Sequence, residues 1–163
     1  MKKHPFYEGF WDIKHIRDGK VLWEEEVHND LLDEGEQNML QVYFRDEQLP
    51  VSFYLRLAYD SIRETDTLSN IENEPSTGGY TAQTLERSTV GFPTLEKHEG
   101  DYRVVSKLIT FTASGGVIGP VNVMYLATTT DNTGILVASI SMSVARTLQS
   151  GDFLQVTIKI KLK

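Results

Sequence analysis

Residues 154–162, near the end of the chain, read Leu-Gln-Val-Thr-Ile-Lys-Ile-Lys-Leu. Successive side chains of a β-strand point to opposite faces, so this alternation predicts a strand with one buried face and one solvated face. The side chains that we expect to point inward are Leu154, Val156, Ile158, Ile160 and Leu162. A strand of this kind needs neighbours with which to pair and a second layer over its apolar face.

Three more alternating stretches precede this strand, at 102–112, 121–127 and 136–142. Turn sequences that contain glycine separate them. Short strands joined by such turns are typical of β-sandwiches and barrels. The sequence therefore predicts that residues 101–163 form a set of C-terminal β-strands.

Residues 1–28 predict an N-terminal β-hairpin arm. Asp18-Gly19 is a favoured two-residue turn, because glycine supplies the positive φ angle that such turns require. The flanking stretches alternate and carry the two tryptophans, Trp11 and Trp23. These rings can pack in the core or contact a partner.

Residues 29–48 predict one short helix. Apolar side chains recur at helical spacing, namely Met39, Leu40, Tyr43 and Phe44. Asp33 followed by Glu36 matches a capping box, which would place the start of the helix there. We expect the helix to end near Phe44. An amphipathic helix this short should pack its apolar side on a sheet.

The middle of the chain has a different character. A strand is predicted at 51–60, and then residues 61–100 become rich in Thr, Ser, Asn, Glu, Pro and Gly. A stretch of that length without clear periodicity is unusual inside a compact domain and is often functional. We expect a long loop region that a partner orders, with Tyr80, Phe92 and Leu95 as contacts. A merely flexible surface loop is the alternative.

Together these patterns predict a single, mainly β domain over residues 1–163. Its expected architecture is a β-sandwich or jelly-roll-like fold with an N-terminal hairpin and one short α-helix. A chain of 163 residues can bury a substantial core without disulfides or metals.

Composition excludes several classes of function. The chain has no cysteine, which rules out disulfides, thiolate metal sites and cysteine nucleophiles. Its net charge of −7 makes nucleic acid a poor partner. No stretch approaches the length of a membrane span, and Met1–Phe10 lacks the apolar run of a signal peptide. We therefore expect a protein made in a cytoplasm that contacts neither membranes nor nucleic acid.

Catalytic and cofactor motifs are also missing from the sequence. The four histidines, at positions 4, 15, 28 and 98, do not have the spacing of a metal site. The glutamates at 24–26 point alternately to opposite faces of a strand, so they cannot converge on one ion. Lys159, Lys161 and Lys163 are interpreted as the solvated face of the last strand. We expect no enzyme activity, no catalytic residues, no metal and no cofactor.

A series of short motifs carries a family resemblance. They are Asn29-Asp30-Leu31-Leu32 with Gly35, Tyr54-Leu55-Arg56-Leu57, Gly78-Gly79-Tyr80 and Gly151-Asp152-Phe153-Leu154. In this order they resemble a class of small structural proteins of tailed bacteriophages. One departure is that the nearest arginine after the Gly-Tyr pair is Arg87, later than in that class. The resemblance implies no catalytic residues.

The same resemblance implies a virion component that assembles with the major capsid protein, with other virion proteins and with copies of itself. A capsid decoration or cement protein is the first interpretation. A tail, baseplate or fibre-associated subunit is the second. The expected assembly contacts are Trp11, Trp23, Tyr80, Phe92 and Leu95.

A third interpretation is a carbohydrate-binding β-sandwich for adhesion to a host. Such a protein needs aromatic rings on an exposed face. Its candidate residues are Tyr54, Tyr59 and Tyr125.

Overall fold

The computed structural model describes residues 7–162, apart from the side chain of Asp30. Within that range the chain forms ten β-strands, one α-helix and a short 3-10 turn at Leu68–Asn70. The elements are β1 (Tyr7–Arg17), β2 (Lys20–Leu31), α1 (Asp33–Phe44), β3 (Ser52–Ala58), β4 (Gln83–Glu86), β5 (Thr94–His98), β6 (Asp101–Val105), β7 (Ile109–Thr112), β8 (Ile118–Ala127), β9 (Leu136–Leu148) and β10 (Phe153–Leu162). Lys163, one of the three C-terminal lysines, lies outside the described residues.

The strands form two antiparallel sheets. The first sheet has the order β5-β6-β10-β1-β2, and β7 also pairs with β10. The second sheet has the order β4-β3-β8-β9. The last residues of β2 leave the first sheet and pair with β9, where Asp30 lies opposite Ser139 and Leu31 opposite Ala138. The predicted mainly β, sandwich-like fold is confirmed.

The N-terminal hairpin forms as its turn sequence predicts. Asp18 and Gly19 both have positive φ angles, 49° and 72°, as a tight two-residue hairpin turn requires. β1 pairs with β10 along most of its length and lies between β10 and β2. The hairpin is therefore part of the first sheet.

The main core lies between the sheets. It contains the inward side chains of β1, β8, β9 and β10, with Trp11 at 0% exposure. Leu154, Val156 and Ile158 are buried, as the alternation of the last strand predicts. Leu162 differs from the expectation, because it is 63% exposed at the end of the same inward row.

A second, smaller core covers the other face of β3 and β8. Leu68 and Ile71, from the middle of the chain, pack there against Ala58, Val123 and Tyr125. Strand β3 is therefore covered on both faces, and Leu55, Arg56, Leu57 and Ala58 are all buried.

The segment 61–100 differs from the expected long loop that a partner orders. It contains the 3-10 turn, β4 and β5, and it crosses both sheets. Thr67 caps the 3-10 turn in a reciprocal capping box with Asn70. The described contacts that order this segment come from the chain itself.

Candidate interaction surface

Helix α1 packs on β9 through its first turn. A Cβ atom on Gly35 would lie 2.2 Å from the backbone oxygen of Val137, so the absence of a side chain permits this close approach. Gly35 is also the only residue of α1 that is fully buried. Asn38 and Val42, which follow on the same side of the helix, are half-buried.

The predicted cap of this helix is wrong. The N-cap residue is Leu32, and no side chain caps the helix through a hydrogen bond. Glu34 instead anchors the first turn to two distant segments. Its Oε2 atom accepts hydrogen bonds from the backbone N–H of Leu136 (2.6 Å) and of Leu68 (3.0 Å).

The apolar side of α1 faces away from the domain, which corrects the expectation that it packs on a sheet. Met39 is 43% exposed, Leu40 52%, Tyr43 82% and Phe44 74%. These four residues, here called the α1 stripe, lie within about 140° of one another around the helix axis. Large apolar side chains grouped in this way mark an interaction surface.

Two polar clusters inside the fold are the other candidate functional sites. In the first, His15 Nε2 lies 2.8 Å from Asp152, and Arg17 forms two hydrogen bonds of 2.8 Å to the same carboxylate. Arg146 approaches His15 Nδ1 at 2.9 Å, and its guanidinium lies over the ring of Trp23. His15 and Asp152 are each 1% exposed.

The donors and acceptors of this cluster are matched to one another. An arginine can only donate, so Nδ1 of His15 accepts from Arg146 and Nε2 donates to Asp152. The hydrogen bonds from Arg17 hold the pKa of Asp152 well below its usual range, and the bond from His15 adds to this effect. Every group of the cluster therefore stabilises the contact between the hairpin, β9 and the turn before β10.

The second cluster surrounds Arg56, which is 2% exposed. Its guanidinium donates to both carboxylate oxygens of Glu74 and to the backbone oxygen of Asp131. The hydroxyl of Tyr80 donates to Glu74 (2.6 Å) and accepts from the backbone N–H of Leu57 (3.0 Å). Burial, and then the bond to Glu74, raise the pKa of Tyr80. This cluster ties the middle segment to β3.

The outer face of the first sheet has a shallow groove of about 260 Å³. Its charges are paired across strands. Lys159 contacts Asp12 at 2.6 Å and Glu26 at 3.3 Å, and Lys161 contacts Asp101 at 3.2 Å. The two lysines therefore lie together on one face, as predicted, and they neutralise neighbouring carboxylates.

The five residues predicted as assembly contacts lie in different environments. Trp11 is a core residue with no surface to offer a partner, which corrects its assignment as a contact. Trp23 is half-buried beside Arg146. Tyr80 stacks on Phe111, with ring centroids 6.0 Å apart.

The other two predicted contacts, Phe92 and Leu95, lie beside different sheets. Phe92 is half-buried and meets Phe53 edge to face at 6.5 Å. Leu95, on the edge strand β5, is 70% exposed. The structure does not bring the five residues together.

Sequence reasoning missed the α1 stripe as a surface, although it identified the four residues. The helical spacing of these side chains in the sequence predicts an apolar side of the helix, but not the direction in which that side faces. The signals for the opposite orientation were Gly35, which permits close approach on the other side of the helix, and the acidic residue Glu34 beside it.

The tyrosines proposed for glycan binding do not form an exposed platform. Tyr125 is fully buried in the second core. Tyr54 and Tyr59 are half-buried. Among the described residues, the most exposed aromatic rings are instead those of Tyr43, Phe44 and Tyr102.

Two further features of the described residues concern metal ions and membranes. Between residues 7 and 162, leaving out the side chain of Asp30, no three His, Asp or Glu side chains are grouped so that they could hold a metal ion. In the same part of the chain, α1 is too short and too polar to cross a membrane.

No protein-family model matches the chain, and no curated protein matches its sequence significantly.

Proposed function

We propose that the protein is a structural subunit of a tailed-bacteriophage virion, without catalytic activity of its own. It joins the particle through the α1 stripe. The observation that carries this proposal is the orientation of α1, which places Tyr43 and Phe44 in solvent at 82% and 74% exposure. Large aromatic side chains contribute disproportionately to the free energy of protein–protein binding.

The chemistry of the stripe supports a protein partner. It presents four large apolar side chains, and its only charged neighbours on the helix are acidic, at Asp33 and Glu36. A phosphate backbone would be repelled by these carboxylates and by the net charge of −7. The stripe therefore suits an apolar groove or sheet face on another protein.

The short motifs quoted above support the virion context. Within it, a decoration or cement protein on the capsid is our first assignment, because a β-sandwich that presents an exposed apolar helix surface suits attachment to a shell. A tail, baseplate or fibre-associated subunit is the second. The two differ in the number of copies for each particle.

Quantitative mass spectrometry of purified particles tests the proposal. Hundreds of copies for each particle are expected for a capsid component, and tens for a tail or vertex component. Absence of the protein from particles would refute the virion role.

A pair of variants tests the surface. The double variant Tyr43→Ser/Phe44→Ser should be lost from particles. The matched control Val21→Ser/Leu22→Ser removes two neighbouring, half-exposed apolar side chains near the hairpin tip and should be retained. Equal retention of both variants would contradict attachment through α1.

A further inference from the structure

The inward row of β10 continues beyond the core. Ile158 is 1% exposed, Ile160 is half-buried and Leu162 is 63% exposed. Alternate residues of a strand share a face, so all three lie on the face that covers the core. Within residues 7–162, the first sheet therefore extends past the second sheet and leaves part of its apolar face open.

The neighbouring strands extend this open area to the edge of the sheet. Val104 of β6 lies directly opposite Ile160 of β10 and Leu95 of β5. Tyr102 lies on the same face, two residues from Val104, and is 64% exposed. We call the following residues the open sheet face: Leu95, Tyr102, Val104, Ile160 and Leu162.

The dimensions of the two apolar surfaces agree. Between Met39 and Phe44 the α1 stripe rises about 8 Å along the helix axis. The row from Leu95 through Val104 to Ile160 crosses three strands, which spans about 10 Å. A helix laid on an open β-sheet is one of the standard ways in which two layers bury their apolar sides.

The charges beside the two surfaces are opposite. Glu36 is exposed one helical turn before Met39 and Leu40, on the same side of α1. Lys97 is exposed two residues after Leu95, on the open sheet face and opposite Tyr102. A helix placed on the sheet can therefore set a carboxylate against an ammonium group at the rim.

We propose that the α1 stripe of one copy of this chain packs on the open sheet face of the next copy, with Glu36 paired to Lys97. The contact is head-to-tail, so its repetition generates a ring or a filament according to whether the rotation closes. The proposal rests on the proposed structural function and names a second copy as a partner of α1.

This arrangement covers both exposed apolar surfaces with one kind of contact. A symmetric pair of α1 stripes would leave two open sheet faces in solvent. A symmetric pair of sheet faces would leave both stripes in solvent and bring two Lys97 side chains to the same interface. Only the head-to-tail contact covers a stripe and a face each time.

Mixing two complementary variants tests the inference. Tyr43→Ser/Phe44→Ser removes the stripe, and Leu95→Ser/Tyr102→Ser removes the sheet face. Analytical ultracentrifugation of each full-length chain over a concentration series should show assembly by the wild type and monomers for each variant. An equimolar mixture should give dimers and nothing larger, because one intact stripe meets one intact face. Each variant should weaken self-association by about thirtyfold or more.

Other results would overturn the inference. A monomeric wild type at all concentrations does so directly. Undiminished assembly by the sheet-face variant would also overturn it, because that result would indicate a symmetric contact between helices. A mixture of the two variants that remains monomeric would overturn it as well. Circular dichroism of each variant checks that it is folded.

A charge exchange provides a second test with substitutions at exposed positions. Glu36→Lys and Lys97→Glu should each weaken self-association by about threefold to tenfold, and the double exchange should restore it. Additive losses in the double exchange would contradict the pairing.

The two proposals can fail separately. If the chain enters particles but the variants do not change its self-association, the virion role stands and the head-to-tail contact is refuted. If it assembles as described but is absent from particles, the virion role is refuted and the contact stands.

Discussion

Two places in the molecule depart from the usual rule that charged side chains are exposed and large apolar side chains are buried. One is the pair formed by His15 and Asp152, and the other is the outward side of α1. The carboxylate of Asp152 is charged and 1% exposed, whereas the aromatic rings of Tyr43 and Phe44 are apolar and more than 70% exposed. Inside the fold, every member of the charged cluster has a partner from another part of the chain. Among the described residues, the exposed side chains of the α1 stripe have no such partners from another part of the chain.

This contrast separates residues that hold the fold from residues available to a partner. A buried charge is tolerated only when its partners are supplied, so its removal must lower stability. An exposed aromatic ring contributes little to the folded monomer, so its removal should affect association alone. The following predictions test that separation.

The largest effect is expected at Asp152. In Asp152→Asn the carboxylate that receives His15 and Arg17 is lost, which should lower the free energy of unfolding by about 3 kcal/mol or more. Urea denaturation measures this loss. The control Asp18→Asn, at the exposed hairpin turn, should remain within about 0.5 kcal/mol of the wild type. A loss below about 1 kcal/mol for Asp152→Asn would contradict a structural role for the cluster.

Acid should weaken the same cluster. Because Arg17 and His15 hold the pKa of Asp152 below that of an unfolded aspartate, this group stabilises the fold above the unfolded pKa of about 3.9. Its contribution is lost as the pH falls from that value toward the lower pKa of the folded state, by at most about 1.4 kcal/mol for each pH unit. Denaturation between neutral and acidic pH should therefore show a steeper decline for the wild type than for Asp152→Asn. Parallel profiles would count against the depressed pKa.

A smaller loss is expected at Tyr80. In Tyr80→Phe the ring still stacks on Phe111, but the backbone N–H of Leu57 and the carboxylate of Glu74 lose a partner. The free energy of unfolding should fall by about 1 to 2 kcal/mol. Tyr102→Phe, which removes an exposed hydroxyl, is the matched control and should have almost no effect. Equal stability of the two variants would mean that the hydroxyl of Tyr80 does not hold the middle segment.

The smallest change in stability is expected for Tyr43→Ser/Phe44→Ser. Ser, Tyr and Phe have similar helix propensities, and both rings are exposed, so the free energy of unfolding of the dilute monomer should change by about 0.5 kcal/mol or less. Thermal and urea denaturation at low protein concentration measure this. A loss comparable to that of Asp152→Asn would show that the stripe belongs to the fold.

Local patterns of the sequence predict much of this fold. Alternation identifies the C-terminal strands, Asp18-Gly19 identifies the hairpin turn, and the spacing of apolar side chains gives a helix that ends at Phe44, as the structure confirms. The predicted strand at 102–112 divides into β6 and β7, because Ser106 exchanges hydrogen bonds with Ile158 and interrupts the regular pairing.

The orientation of elements could not be predicted in the same way. Periodicity shows that α1 has an apolar side, but contacts made by Gly35 and Glu34 with distant segments decide which side faces the domain. Likewise, Arg56 reads as a solvated position of an alternating strand. It is buried because the middle segment folds over that face and supplies Glu74.

Strand β2 belongs to both sheets, because it pairs with β1 along most of its length and with β9 at its end. Neither half of the sandwich can open without disrupting the strand that it shares with the other half. Unfolding should therefore be a single cooperative event, with slow hydrogen exchange in both sheets governed by the same global opening. A subunit of this kind should be either folded or unfolded. Partly unfolded forms, whose exposed strand edges could pair with other chains and aggregate, should be rare.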